Sequence, residues 1–158
     1  MNYKTVKNLH SAALILQCVA LLLTVLMTIG QKAVEAFIQT PYDLRDINTI
    51  PVEVLISVVP LLILYAISFF LMKKGDGSSS KTHTIVCIIV ALAIKIITPL
   101  ISALYVRIFA VTQGANAYSA HVVLVSAIER VLSPLLIIAF ALFCLSLGGY
   151  CGNRKAEE

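Results

Sequence analysis

Two ionisable residues, Lys95 and Glu129, lie deep inside apolar stretches of this sequence. Lys95 is eleven residues from the start of one stretch at Thr84, and Glu129 is eleven residues from the start of another at Tyr118. At the helical rise of about 1.5 Å per residue, each lies about 16 Å from a membrane surface and therefore near the midplane. A charge at that depth costs about 3 kcal/mol on insertion scales, and such residues are functional candidates by default. The sequence thus predicts a site that binds a polar or ionic solute or carries a proton.

An internal salt bridge is the alternative interpretation of the same two residues. Counting outward from the connection between their stretches places Lys95 and Glu129 about 9 Å apart along the helix axes, which a lysine side chain can span. Such a pair would fix the register of the helices or join two protomers, although a buried pair is weak evidence for stability. The sequence leaves both interpretations open.

Hydroxyl and basic residues accompany these two charges, and most follow a three- and four-residue spacing that places them on one side of a helix. Hydroxyl residues at such positions are also explained by packing, because membrane helices associate through small and hydroxyl side chains. The predicted solute- or proton-binding site consists of Glu129, Lys95, Arg130, Ser126, Ser133, Thr98, Ser102 and Tyr105. We predict no catalytic residue and no metal ligand.

The elements that must position this site are four apolar stretches. The chain is 59% hydrophobic and 13% charged, whereas a soluble domain carries about 25% charge. Since about 20 apolar residues cross a bilayer as a helix, and backbone polar groups in lipid must be satisfied within the segment, we predict an all-α, polytopic four-transmembrane-helix bundle. It forms one membrane domain over residues 1–158, with spans at 9–29, 52–72, 84–111 and 118–147, an outer loop at 30–51 and a cytoplasmic loop at 73–83.

The basic residues predict the orientation of these spans. One side of the predicted membrane carries Lys4, Lys7, Lys73, Lys74, Lys81, Arg154 and Lys155, and the other carries only Lys32 and Arg45. Basic residues accumulate on the cytoplasmic side, so both termini are predicted to be cytoplasmic. The net charge of +4 follows from this distribution and does not indicate a nucleic-acid partner. Small size and economy suggest a bacterial cytoplasmic membrane.

Polar residues also recur along the first stretch, at His10, Gln17, Thr24 and Thr28. Faces of this kind turned inward would give the bundle a polar interior. We interpret His10 and His83, near the cytoplasmic helix ends, as interfacial residues, and a haem held between them is the alternative. No cluster of carboxylates or cysteines supports a metal site, and we expect no cofactor.

Two short segments around prolines resemble each other, at residues 93–100 and 128–135. Each has a basic residue four positions before its proline, Lys95 before Pro99 and Arg130 before Pro134. In antiparallel helices they would form an inverted pair of bends, as in many transporters. Chance similarity between two apolar segments of low complexity is the alternative.

Transport is the leading functional prediction, as a transporter or channel subunit that acts as a homo-oligomer, because four helices alone enclose little volume. Size and layout resemble the small multidrug-resistance transporters, whose first span carries a glutamate. Here Gln17 lies in the first span, which has no glutamate, the chain has no tryptophan, and the first loop is longer. The alternative is a non-catalytic accessory, immunity or regulatory subunit that binds a larger membrane protein. An enzyme is not predicted, since no Ser/His or Asp/Asp pair lies at a plausible depth.

Overall fold

The computed structural model describes residues 2–37, 52–74, 80–113 and 115–153, and the described chain from Tyr3 onward is helical throughout. The helices are α1 (Tyr3–Phe37), α2 (Val52–Lys74), α3 (Ser80–Gln113) and α4 (Ala115–Asn153). By length and composition, each contains a segment apolar enough to cross a membrane. The prediction of an all-helical chain with four helices of membrane-spanning length is confirmed.

The helices extend beyond the apolar stretches that predicted them. α1 continues past Ile29 to Phe37, so part of the expected outer loop is helix, while residues 38–51 lie outside the described ranges. α2 ends at Lys74 and α3 begins at Ser80, which shortens the expected loop at 73–83. Hydropathy marks only the segment that suits lipid, whereas backbone hydrogen bonding continues into polar sequence.

Each helix buries one narrow stripe of residues, repeating in steps of three and four. The stripes run through Val6, His10, Ala13, Gln17, Ala20 and Thr24 in α1, Val54, Val58, Leu61, Tyr65, Ser68 and Met72 in α2, Thr84, Cys87, Ala91 and Thr98 in α3, and Ile128, Leu132, Ala139, Phe143 and Ser146 in α4. This heptad-like period is typical of helices that pack nearly parallel or antiparallel in a bundle. The helices therefore pack against one another along narrow rows of side chains and not through broad apolar faces.

The four helices form a closed ring in which each packs against its neighbours in the chain, and α4 packs back against α1. Hydrogen bonds from Tyr3 to Met72 and from His10 to Tyr65 show that α1 and α2 run antiparallel, because seven residues forward in one match seven residues back in the other. α1 and α4 make the most extensive contact. Pro99 and Pro134 lie within α3 and α4, and each helix continues on both sides of its proline.

The buried side chains divide into two clusters along the bundle. One draws on all four helices and includes Ala13, Tyr65, Cys87 and Phe143. The other consists of Ala20, Val54, Val58, Ile128 and Leu132, so among the described side chains it draws on α1, α2 and α4 alone. Among the described side chains, the buried hydrophobic residues of α3, Cys87 and Ala91, belong to the first cluster, and the buried residue in its second half is Thr98.

Candidate functional site

The three charged residues of the predicted site lie on the outside of the bundle. The side chains of Lys95, Glu129 and Arg130 are exposed, and so is that of Ser133. They lie along the side of α3 and α4, and we call Lys95, Glu129 and Arg130 the charged face. In the single chain these groups line no interior path.

Lys95 points away from Glu129 along the bundle. Its Nζ lies 5.6 Å from the centre of the Phe140 ring, a cation–π contact between α3 and α4. Phe140 is eleven residues from Glu129, just over three full turns, so both lie on the same side of α4 about 16 Å apart. Within the described ranges, no ion pair joins Lys95 to Glu129. A salt bridge inside one chain is therefore not the arrangement that this structure adopts.

Four of the five hydroxyl residues of the predicted site lie closer to the interior than the charges, and the fifth, Ser133, is exposed. Thr98 is buried at 9% exposure, while Ser102, Tyr105 and Ser126 are half-buried. The second hydrophobic cluster contains no described side chain of α3, and Thr98 is the described residue buried in the second half of that helix. The predicted site is therefore divided into four buried or half-buried hydroxyl residues and an exposed set made of Ser133 and the three charged residues.

The surface around the charged face is strongly apolar. On α3, Ile96, Leu100 and Leu104 are 66%, 67% and 60% exposed, and on α4 Ile137 is 63% exposed. An apolar surface of this kind is suited to lipid or to another helix. Three charges within such a surface are the feature of this chain that most needs a functional explanation.

A ladder of hydrogen bonds between α1 and α2 is the largest feature that sequence reasoning missed. Tyr3 Oη donates to the Met72 carbonyl at 3.2 Å, His10 Nε2 lies 3.0 Å from the Tyr65 carbonyl, and Gln17 Nε2 donates to the Val58 carbonyl at 2.9 Å. The donors are seven residues apart, and so are the acceptors. Each rung pairs a polar side chain of α1 with a backbone oxygen of α2, which fixes the register, and two of these side chains, His10 and Gln17, are buried.

Further polar contacts join all four helices at the level of His10, and we call this level the histidine end. His10 Nδ1 lies 2.8 Å from Ser146 Oγ of α4, and Ser68 Oγ of α2 lies 3.1 Å from Nε2 of His83 in α3. Thr84 Oγ1 donates to the Leu147 carbonyl at 3.4 Å. The side chain of His10 has no exposed surface, so it is a buried group of the bundle, and its position at the membrane interface stays a prediction.

The signal that could have found this network was present in the sequence. His10 and Gln17 occupy the same stripe as Ala13 and Ala20, at heptad spacing, and small residues beside polar ones are typical of tightly packed helix contacts. Both ring nitrogens of His10 contact protein oxygens, so this residue has no free nitrogen for the haem considered above. Among the described residues, no group of three or more His, Cys, Asp or Glu could hold a metal ion.

Two polar atoms in the core find no hydrogen-bond partner in the described structure. They are Gln17 Oε1 and the Tyr65 hydroxyl, on side chains that have no exposed surface. The Tyr65 ring stacks on Phe143, with centres 4.2 Å apart and an interplanar angle of 18°. An unsatisfied buried polar group costs about 1–3 kcal/mol, so a substitution that removes either polar group could raise the free energy of unfolding.

Comparison with protein family models, with curated proteins and with solved structures finds no match to this chain.

Proposed function

We propose that this chain is an integral membrane protein that works as a homo-oligomer, and that its subunits meet along the charged face and pass a small polar or ionic solute, or a proton, between them. The observation that carries the proposal is the exposure of Lys95, Glu129 and Arg130 on an otherwise apolar surface. Facing lipid, each of these charges would cost about 3 kcal/mol near the midplane. A neighbouring subunit would replace lipid with polar and oppositely charged groups.

The charge arrangement suits a second copy of the same chain. Glu129 and Arg130 are adjacent in α4 and therefore lie at the same depth. In two copies with the same orientation, Glu129 of one subunit can lie opposite Arg130 of the other across a twofold axis. Lys95 is at a different depth, so it stays available to a solute or to the Phe140 ring that it contacts.

The interior of a single bundle is a poor candidate for the path. His10, Gln17, Thr24 and Thr28 line it along α1, and each makes a hydrogen bond to a protein oxygen. Apart from Gln17 Oε1, which has no partner in the described structure, the polar groups of these side chains are satisfied by the protein, so they pack the interior and do not solvate a passing ion. A solute path is therefore proposed between subunits, where Ser126 and the charged face meet.

A non-catalytic accessory or regulatory subunit of a larger membrane protein is the second candidate. It is favoured by the charge balance of the face, which has two basic residues and one acidic residue. A carboxylate on another protein would neutralise the remaining positive charge, and a homo-oligomer would not. The absence of enzymatic activity stays a prediction.

The orientation in the membrane is also a proposal, with both ends of the chain in the cytoplasm of a bacterium. It is supported by the basic residues near the N-terminus, around the connection at 73–83 and near the C-terminus, and by the four apolar helices. Carboxyl-terminal fusions to a fluorescent protein and to alkaline phosphatase test it. Fluorescence without phosphatase activity is expected, and the reverse pattern would contradict the orientation.

The mass of the purified protein in detergent tests the main proposal, followed by flux through reconstituted vesicles. A discrete oligomer is expected for the wild type, with flux that Glu129→Gln abolishes while folded protein remains. A monomer that captures one defined membrane protein through the charged face would favour the accessory role. A monomer that neither binds nor transports would overturn both candidates.

A further inference from the structure

His10 lies at the centre of a short chain of polar atoms that joins three helices. Its Nε2 lies 3.0 Å from the Tyr65 carbonyl of α2, and its Nδ1 lies 2.8 Å from Ser146 Oγ of α4. Ser146 Oγ in turn lies 2.7 Å from the Phe143 carbonyl. Three contacts therefore follow one another between two backbone carbonyls, both of which can only accept a hydrogen bond.

The hydrogens available in this chain can be counted. Three contacts need three hydrogens, because each joins two atoms that otherwise meet lone pair to lone pair. A neutral imidazole has one N–H and Ser146 has one O–H, which makes two. A protonated His10 supplies two N–H groups and completes all three contacts.

We propose that His10 is a reversible proton-binding site of the folded bundle, with the Ser146 hydroxyl as its switch. In the neutral form, the Nε2 hydrogen is held by the Tyr65 carbonyl, and Ser146 donates either to Nδ1 or to Phe143. In the protonated form, Nδ1 donates to Ser146 and Ser146 donates to Phe143. Protonation thus adds one hydrogen bond to the network: the bond between His10 and Ser146 if neutral Ser146 donates to Phe143, or the bond from Ser146 to Phe143 within α4 if neutral Ser146 donates to Nδ1. The proposal does not depend on the proposed function.

The aromatic rings beside His10 suit the protonated form. The Phe69 ring stacks on the imidazole with centres 5.8 Å apart, and the Phe143 ring lies at 5.3 Å with a tilt of 56°. Aromatic faces attract a cation, and hydrogen bonds from a charged donor are about twice as strong as neutral ones. Burial opposes this, because a charge loses its hydration. We expect His10 to gain and lose its proton reversibly because these attractions oppose the loss of hydration.

The titratable groups on the helices packed around His10 define the control. They are Tyr65 on α2, His83 and Cys87 on α3, and Cys144 and Tyr150 on α4; no described carboxyl group contacts the imidazole. His83 is the one that titrates in the same range as His10. A proton on His83 would repel one on His10, so His83→Gln is the matched variant.

Nitrogen-15 NMR of histidine-labelled protein in detergent between pH 4 and 9 tests the proposal. The chain has 3 histidines, and the His10 signals are assigned by their loss in His10→Gln. We expect a neutral ring with hydrogen on Nε2 at high pH, and hydrogens on both nitrogens at low pH. A His10 ring that stays neutral over the whole range would overturn the site.

The Ser146 switch has its own test. Ser146→Ala removes the acceptor for Nδ1, so half-protonation of His10 should need about three to ten times more acid. His83→Gln should leave the His10 titration in place and require no more acid. An unchanged midpoint in Ser146→Ala would overturn the switch, and if this variant does not fold, the two N–H signals of wild-type His10 at low pH decide the matter.

Discussion

The two ends of the bundle use polar residues differently, although both bury some of them: Thr24 and Thr28 are also buried, with hydrogen bonds inside α1. At the histidine end four helices share the core, and the side chains of His10, Ser68 and Ser146 are fully buried and hydrogen-bonded. Towards Glu129 the core draws on three helices, and the charged residues face outward. The difference teaches that polarity within an apolar helix has two uses, the first to fix the register of helices in one chain and the second to present a surface to another molecule.

The largest effect is expected from removing the central group of the histidine end. His10→Ala should lower the free energy of unfolding by about 3 kcal/mol, because it leaves a cavity and strips the Tyr65 carbonyl and Ser146 of a partner. Thermal unfolding in detergent measures this. Ile15→Ala is the control, since Ile15 is on the same helix but 61% exposed. Equal losses of unfolding free energy in the two variants would contradict the expectation that the buried His10 stabilises the fold more than an exposed residue does.

The second effect concerns assembly and not folding. Glu129→Gln should weaken self-association about tenfold, equivalent to about 1.4 kcal/mol, and leave the unfolding temperature of the monomer unchanged. The control is Arg107→Gln, which removes an exposed charge from a different helix, α3. It should change neither the self-association nor the unfolding temperature. Sedimentation in density-matched detergent measures the association.

Exchanging pairs of charges tests which residues of the charged face meet when subunits associate. Glu129→Arg combined with Arg130→Glu should restore association lost in either single variant, because the two positions share one depth. Exchanging the charges of Lys95 and Glu129 should not, since the Lys95 ammonium lies over Phe140. Rescue by the second exchange alone would favour the salt bridge between Lys95 and Glu129.

A gain of stability is expected at Tyr65. Tyr65→Phe removes an unsatisfied buried hydroxyl while it keeps the ring stacked on Phe143, and should raise the free energy of unfolding by about 1 kcal/mol. Tyr3→Phe is the matched control, because it removes a hydroxyl that donates to Met72 and should lower stability slightly. A loss of stability in Tyr65→Phe would indicate that its hydroxyl has a partner, such as a bound water.

The smallest effect is expected at Lys95. Lys95→Met keeps most of the side-chain volume and removes one exposed cation–π contact, so the free energy of unfolding should change by less than about 1 kcal/mol. Phe140→Leu should give a similar small change. A large loss of folded protein in Lys95→Met would show that this charge has a structural role.

Much of the fold could be predicted because hydropathy is a local property. The four apolar stretches predicted four helices, and the helix ends differ by only a few residues at most termini, as for α2, expected at 52–72 and found at Val52–Lys74. The main exception is the far end of α1, where helical hydrogen bonding continues into the polar sequence after Gly30.

The candidate site was less predictable, because spacing places residues on one side of a helix without saying what that side contacts. Thr98 and Gln17 follow the spacing and are buried, whereas Glu129 and Ser133 follow it and are exposed. The direction of a stripe depends on the rotation of its helix within the bundle. That rotation is set by the partner helices and cannot be read from one segment.

The sequence by itself determined that this chain forms four long apolar helices with charged residues inside two of them, since both properties depend only on the residues of each segment. The tertiary structure decided that His10 lies buried between α1, α2 and α4, that the described hydrophobic core residues of α3 lie in the cluster at the histidine end, and that the charged face points outward. The physical reason is that burial and hydrogen bonding are properties of pairs of helices, because a side chain becomes interior only when another helix covers it.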